Sequence, residues 1–335
     1  MKLDLETVSN ITLGAVRVEK EEDGFHFYRF THQQEDLYKD RSDDFYKKCF
    51  ATSGIQLSFK TDSRSLFIKA SVSKGSSRSY FAFDIFINGT MVDSLNNFDG
   101  VELPCDYTSV SLQMGQFEKK FSLGAGVKNV SVYLPWSAKT VIQQFALDDD
   151  SFIEPVKTKY KMLCFGDSIT QGYDALFSSN KYTSRLAKFL NAEEHNKGIG
   201  GETFFPELAK AKEEFVPDYI TVAYGTNDWN RCTQQQFTTN VKAFFENLTE
   251  NYPNSKIFVI TPIWRKDHEE NRAFGEFKDV ERILCSLVEE YENITIISGY
   301  DFVEHDAKFF ADLQLHPNDE GFGQYFKSLV EKVEV

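Results

Sequence analysis

Four short segments of this chain carry side chains that can act on a carbonyl group. Phe165-Gly166-Asp167-Ser168-Ile169-Thr170-Gln171-Gly172 directly follows a short apolar run. A serine hydroxyl is a weak nucleophile until a base takes its proton. A tight strand-to-helix turn exposes that oxygen and aims the serine's own N–H at a developing oxyanion. Asn196-Lys197-Gly198-Ile199-Gly200-Gly201-Glu202-Thr203 is glycine-rich, and glycine lets the main chain approach a ligand and present its N–H. Tyr224-Gly225-Thr226-Asn227-Asp228-Trp229 offers the Asn227 amide as a donor, and Ala311-Asp312-Leu313-Gln314-Leu315-His316-Pro317-Asn318-Asp319 places an imidazole at a proline-stiffened loop. Taken singly, each has an ordinary role: a serine helix cap, a glycine turn, an asparagine turn, a structural histidine.

Their positions in the chain bind them together. After residue 160 short apolar runs alternate with helical patterns. Lys161–Phe165 ends at Gly166, Tyr219–Tyr224 at Gly225, Lys256–Ile260 at Thr261-Pro262, and Ile294–Ile297 at Ser298-Gly299. Helices are expected over 181–190, 234–251 and 276–291; the second carries Phe237, Val241, Phe244, Phe245 and Leu248 on one stripe. Alternating strands and helices imply a parallel sheet between helical layers, whose ligands sit at the carboxyl ends of the strands. The serine and asparagine segments follow such strand ends.

Before residue 155 the rhythm is different. Ile55–Phe59, Ser65–Ala70, Phe81–Ile87, Lys128–Leu134 and Thr140–Leu147 alternate apolar and polar residues, and Asn88-Gly89, Asp99-Gly100 and Gly124-Ala125-Gly126 mark turns. This pattern predicts a β-sandwich of jelly-roll type with almost no helix. The charged stretch from Asp148 to Lys159, with Pro155, is the expected boundary, giving units 1–155 and 156–335.

Composition narrows the partners. The 335 residues are 41% hydrophobic, with 32 Phe and 15 Tyr, enough for large cores. Against 37 Lys and Arg stand 51 Asp and Glu, a net charge of -14 that disfavours nucleic acid and anionic membranes. Cysteines 49, 105, 164, 232 and 285 form no CxxC pair, which argues against a disulfide framework and a structural zinc site. The polar start MKLDLETVSN lacks the apolar run of a secretory leader, so a cytoplasmic location is expected, and no run is long enough to span a membrane.

With the four segments in this order, residues 160–335 resemble the SGNH hydrolases, also called GDSL esterases. The resemblance implies Ser168 as nucleophile within GDSIT, Gly201 as an oxyanion donor within NKGIGGET (Gly200 if the register slips by one), Asn227 as another within GTND, and His316 as base within HPND. The Ser168 N–H completes the oxyanion set. The family pattern places an aspartate three residues before the histidine; here that position is Leu313, and Asp312 stands four before. Either a bulge lets Asp312 orient His316, or a backbone carbonyl does; Asp301 and Asp306 are outlying candidates. The sandwich before such a domain, with Val132-Tyr133-Leu134-Pro135-Trp136, resembles the acetyl esterases of carbohydrate esterase family two. That implies O-deacetylation of a carbohydrate, an acetylated oligosaccharide being the expected substrate, with no metal and no organic cofactor. Asp167, Trp229 and Trp264 are candidate substrate contacts, the two indoles as a sugar-stacking wall. Alternatives are a lipase, thioesterase or other esterase on a non-carbohydrate acyl group, or a carbohydrate-binding protein without activity.

Overall fold

The computed structural model describes residues 1–333. Two antiparallel sheets form the N-terminal part. One runs, in spatial order, Thr12–Leu13, Gln56–Thr61, Lys128–Tyr133, Ala82–Ile87 and Thr90–Asn96, with Ile153–Pro155 added against Gln56–Thr61; the other runs Arg17–Glu21, Gly24–Tyr28, Ala138–Leu147, Ser65–Lys74 and Gly115–Ser122. Alternation explains the packing. Leu57, Phe59, Val130 and Val132 of one sheet meet Leu66, Ile68, Ile142 and Phe145 of the other in a common core.

The part after residue 160 is built on a parallel sheet ordered Ala192–Asn196, Tyr160–Gly166, Tyr219–Ala223, Lys256–Ile260 and Ile294–Ile297. Successive residues of one strand feed opposite cores, as the two-residue period of a strand demands. Leu163 and Phe165 pack with Phe244 and Phe245 of the helix Gln234–Asn251 and with Val280 and Leu284 of the helix Lys278–Val288. Met162 and Cys164 pack instead with Leu186 of the helix Tyr182–Leu190 and with Phe322 and Leu329 of the helix Asp319–Val330. The result is the expected helix–sheet–helix layering behind a β-sandwich.

The expectation of almost no helix in the first part is corrected. Leu5–Ile11, His32–Arg41 and Asp43–Cys49 are helical. His32–Arg41 lacks a clear apolar stripe but starts at a capping box, Thr31 with Gln34, which satisfies the free N–H groups of its first turn.

These helices lock the two parts together. Arg29, 1% exposed, donates to the carbonyls of Lys48 and Ala51 and, across the chain, to those of Asn196 and Gly198. Burial pulls its guanidinium down to about 10, against the pull of neighbouring anionic groups. Lys197 answers from the other side, donating to the Arg29 carbonyl and pairing with Glu213.

Candidate active site

The strand Tyr160–Gly166 delivers Ser168 to the first turn of a one-turn helix, Ser168–Gln171. A Cβ on Gly166 would lie 2.1 Å from Thr170 Oγ1 and 2.8 Å from the Ala223 carbonyl oxygen, so only glycine lets the chain turn this sharply. Asp167 caps the helix through the Ile169 N–H at 3.0 Å. It is 2% exposed, and burial pushes its carboxyl up to about 6 despite the Ile169 hydrogen bond. Asp167 therefore serves the turn from beneath.

The Ser168 hydroxyl meets His316 Nε2 at 2.9 Å, across 148 positions of sequence. On the far side of the ring, Nδ1 lies 2.7 Å from Asp312 Oδ2. The other Asp312 oxygen accepts the backbone N–H groups of Gln314, Leu315 and His316 at 2.9, 2.7 and 3.0 Å. Burial opposes the charge on Asp312, but the His316 bond and charge and the backbone donors outweigh it and hold the carboxyl well below the usual carboxylate range. Burial likewise opposes a charged His316, yet the Asp312 hydrogen bond and the charges of Asp174 and Asp312 raise its pKa above that of a free imidazole. Asp301 faces His305 at 3.2 Å and Asp306 caps the turn at Lys308; neither is the partner of His316.

The glycine segment is pinned one carbonyl at a time. Lys48 Nζ donates to the Gly200 carbonyl at 2.8 Å, Arg231 Nη1 to that of Gly201 at 2.6 Å, and Asn227 Nδ2 to that of Glu202 at 3.0 Å. The Gly200 N–H is already spent on Gln171 Oε1 at 2.8 Å. Among the described residues, no acceptor takes the N–H of Ser168 or Gly201. A side chain at Gly200 would strike the Tyr173 ring, 2.5 Å away.

Both indoles of the expected aromatic wall are buried. Trp229 is 0% exposed, donates its Nε1–H to the Gly275 carbonyl, and lies beneath Arg265 and Arg272. Trp264 is buried too, stacked on His305 at 5.3 Å between ring centroids and packed against Phe310. Strand-end position pointed to both residues, but their apolar area went into the core rather than to solvent. Lys48, Arg78 and Asp174, which the structure brings to this region, stand outside the four segments and carry no motif of their own.

The profile of the GDSL-like Lipase/Acylhydrolase family matches residues 164–323, a span holding Ser168, Asn227, Asp312 and His316. This match marks the chain as an ester hydrolase. A search of curated proteins by sequence returned no match. Among solved structures, the salicylyl-acyltransferase SsfX3 of a tetracycline biosynthetic pathway is 17% identical, with a TM-score of 0.79 over 96% of this chain and 93% of that one. A Bacteroides ovatus protein assigned as a GDSL-like lipase is 19% identical, with a TM-score of 0.75 over 98% and 95%. The acetyl xylan esterase Est2A from the rumen bacterium Butyrivibrio proteoclasticus is 16% identical, with a TM-score of 0.63 over 99% and 96%. These likenesses show that the sandwich and the acylhydrolase part together form one recurring fold. No helix among the described residues is long and apolar enough to cross a membrane.

Proposed function

We propose that this ester hydrolase is a serine esterase that removes acetyl groups from a carbohydrate, with Ser168 as nucleophile, His316 as general base and Asp312 as the group that orients His316. The observation that carries the reading is the unbroken series from Ser168 Oγ to His316 Nε2 at 2.9 Å and from His316 Nδ1 to Asp312 at 2.7 Å. His316 takes the hydroxyl proton as the oxygen attacks the ester carbonyl, then protonates the departing alcohol. Asp312 stays ionised and holds the ring so that Nε2 faces the serine. The N–H groups of Ser168 and Gly201 and the second amide hydrogen of Asn227 are the donors for the tetrahedral oxyanion. Water, deprotonated by His316, then frees the acetate. The reaction needs no metal and no organic cofactor.

The carbohydrate reading rests on the family resemblance of the sequence and on the fold shared with an acetyl xylan esterase. Acetate release from acetylated xylo-, manno- and cello-oligosaccharides tests it, with Ser168→Ala as the blank. Turnover on these substrates but little on long-chain p-nitrophenyl esters supports the assignment; a preference for long acyl chains overturns it. The fold shared with an acyltransferase adds one arm, in which an added sugar acceptor competes with water for the acyl-enzyme. An acylated acceptor in place of free acetate would identify a transferase.

A further inference from the structure

A second carboxylate faces the same edge of the His316 ring. Asp174 Oδ2 lies 3.4 Å from His316 Nδ1, the nitrogen already bonded to Asp312. Asp174 is fully buried and has φ of 74°, a conformation that a residue with a side chain rarely adopts outside a functional or turn position. What holds it there comes from the other part of the chain. Arg78 Nε and Nη2 grip its two oxygens at 2.6 and 2.8 Å, a bidentate pair, and the Tyr80 hydroxyl donates to one of them. The Tyr107 hydroxyl donates to the Asp174 carbonyl at 2.5 Å. Arg78 also lies over the ring of Tyr173, whose ring in turn leans on His316 at 5.6 Å between centroids. Arg78, Tyr80 and Tyr107 thus fix Asp174 beside one edge of the imidazole.

We propose that Asp174 is a positioning residue for His316, a second negative charge held beside its Nδ1–H, and that Arg78 of the β-sandwich is the tether that sets its position. The sandwich is then part of the active site. The inference rests on the Ser168–His316 reading. Its physical basis is the cost of burying a carboxylate, which is met only by close, well-aligned partners. Arg78 and the tyrosines meet it while one Asp174 oxygen remains beside His316. The charged groups facing the ring are Asp312 on its own loop, Asp174 on the segment after the serine helix, and Arg78 on the sandwich; Asp167, beneath the serine turn, lies close enough to feel its charge.

The test uses the full chain and an aryl acetate. Asp174→Asn keeps the side chain's size and tolerates the positive φ. The expected result is a fall in kcat of about tenfold with KM within about twofold, the pattern of an interaction that matters in the transition state. The acid limb of kcat/KM moves to lower pH, because one negative charge near His316 is gone. In the Asp312→Asn background Asp174→Asn should cost more than the tenfold it costs alone, on the order of 10²-fold, because residues sharing one partner are not additive and the remaining carboxylate carries more of the support. An unmoved acid limb, together with a double variant no worse than Asp312→Asn, overturns the proposal. If Asp174→Asn fails to fold by circular dichroism, Arg78→Lys decides: lower kcat at unchanged KM supports the tether, and unchanged kcat rejects it. Full turnover by Ser168→Ala would instead remove the reading beneath the proposal.

Discussion

Asp312 stands four residues before His316, yet its Oδ2 reaches Nδ1 at 2.7 Å. The intervening Leu313 makes this possible by taking φ of 56°, in the left-handed region. The chain thereby curls until three successive backbone N–H groups point at the other Asp312 oxygen. An aspartate one residue further from its histidine than the family spacing thus arrives at an orienting geometry, through backbone strain placed on a leucine.

Asp312→Asn should lower kcat by on the order of 10³-fold with little change in KM, since the amide favours the wrong histidine tautomer. Leu313→Gly should retain kcat, because glycine takes the left-handed conformation without cost. Steady-state kinetics on p-nitrophenyl acetate checks both. A mild effect of Asp312→Asn would leave Asp174 as the main support of the ring.

The pH–rate profile follows from the raised pKa of His316. Only neutral imidazole can accept the serine proton, so activity is lost as pH falls through that pKa. Because Asp312 and Asp174 raise it, the acid limb of kcat/KM should lie above that of an unperturbed histidine. Asp312→Asn removes a raising influence, so the limb should move to lower pH in the residual activity. A limb that moves upward would contradict the assigned base.

Lys48 touches the oxygen of the peptide whose N–H belongs to Gly201. A cation at that oxygen polarises the peptide and strengthens its N–H as a donor. Lys48→Met should therefore reduce kcat and weaken a boronate that forms a tetrahedral adduct on Ser168, while leaving binding of the free alcohol product unchanged. Asn227→Ala should cost about 2.7–4 kcal/mol of barrier, the usual loss for one oxyanion donor. Inhibition constants and kcat for the two variants are the measurements.

Trp229 belongs to the core. Trp229→Ala should destabilise the fold by about 3–5 kcal/mol, the range for a large buried aromatic. Denaturant unfolding reads the loss, and KM for oligosaccharides of increasing length should show no defect that grows with length. Such a defect would return the indole to a sugar subsite.

Much of the layout was legible along the chain. The switch from a two-residue period to alternating strands and helices marked the sandwich and the parallel sheet, because side-chain alternation is dictated by which face is buried. The helix Gln234–Asn251 was readable from its Phe237–Val241–Phe244–Leu248 stripe. His32–Arg41 was not, because it packs with few apolar residues and owes its start to a local cap.

Sequence by itself determined which residues can do chemistry. The serine turn, the glycine segment, the asparagine and the histidine are each short local patterns, and strand ends bring local patterns to one edge of a sheet. Only the tertiary structure decided which carboxylates face His316. Asp312 depends on a left-handed leucine that no propensity announces, and Asp174 depends on Arg78, 96 positions away. It also decided that both tryptophans lie in the core, since burial is set by what packs over a residue and not by its distance along the chain from a strand end.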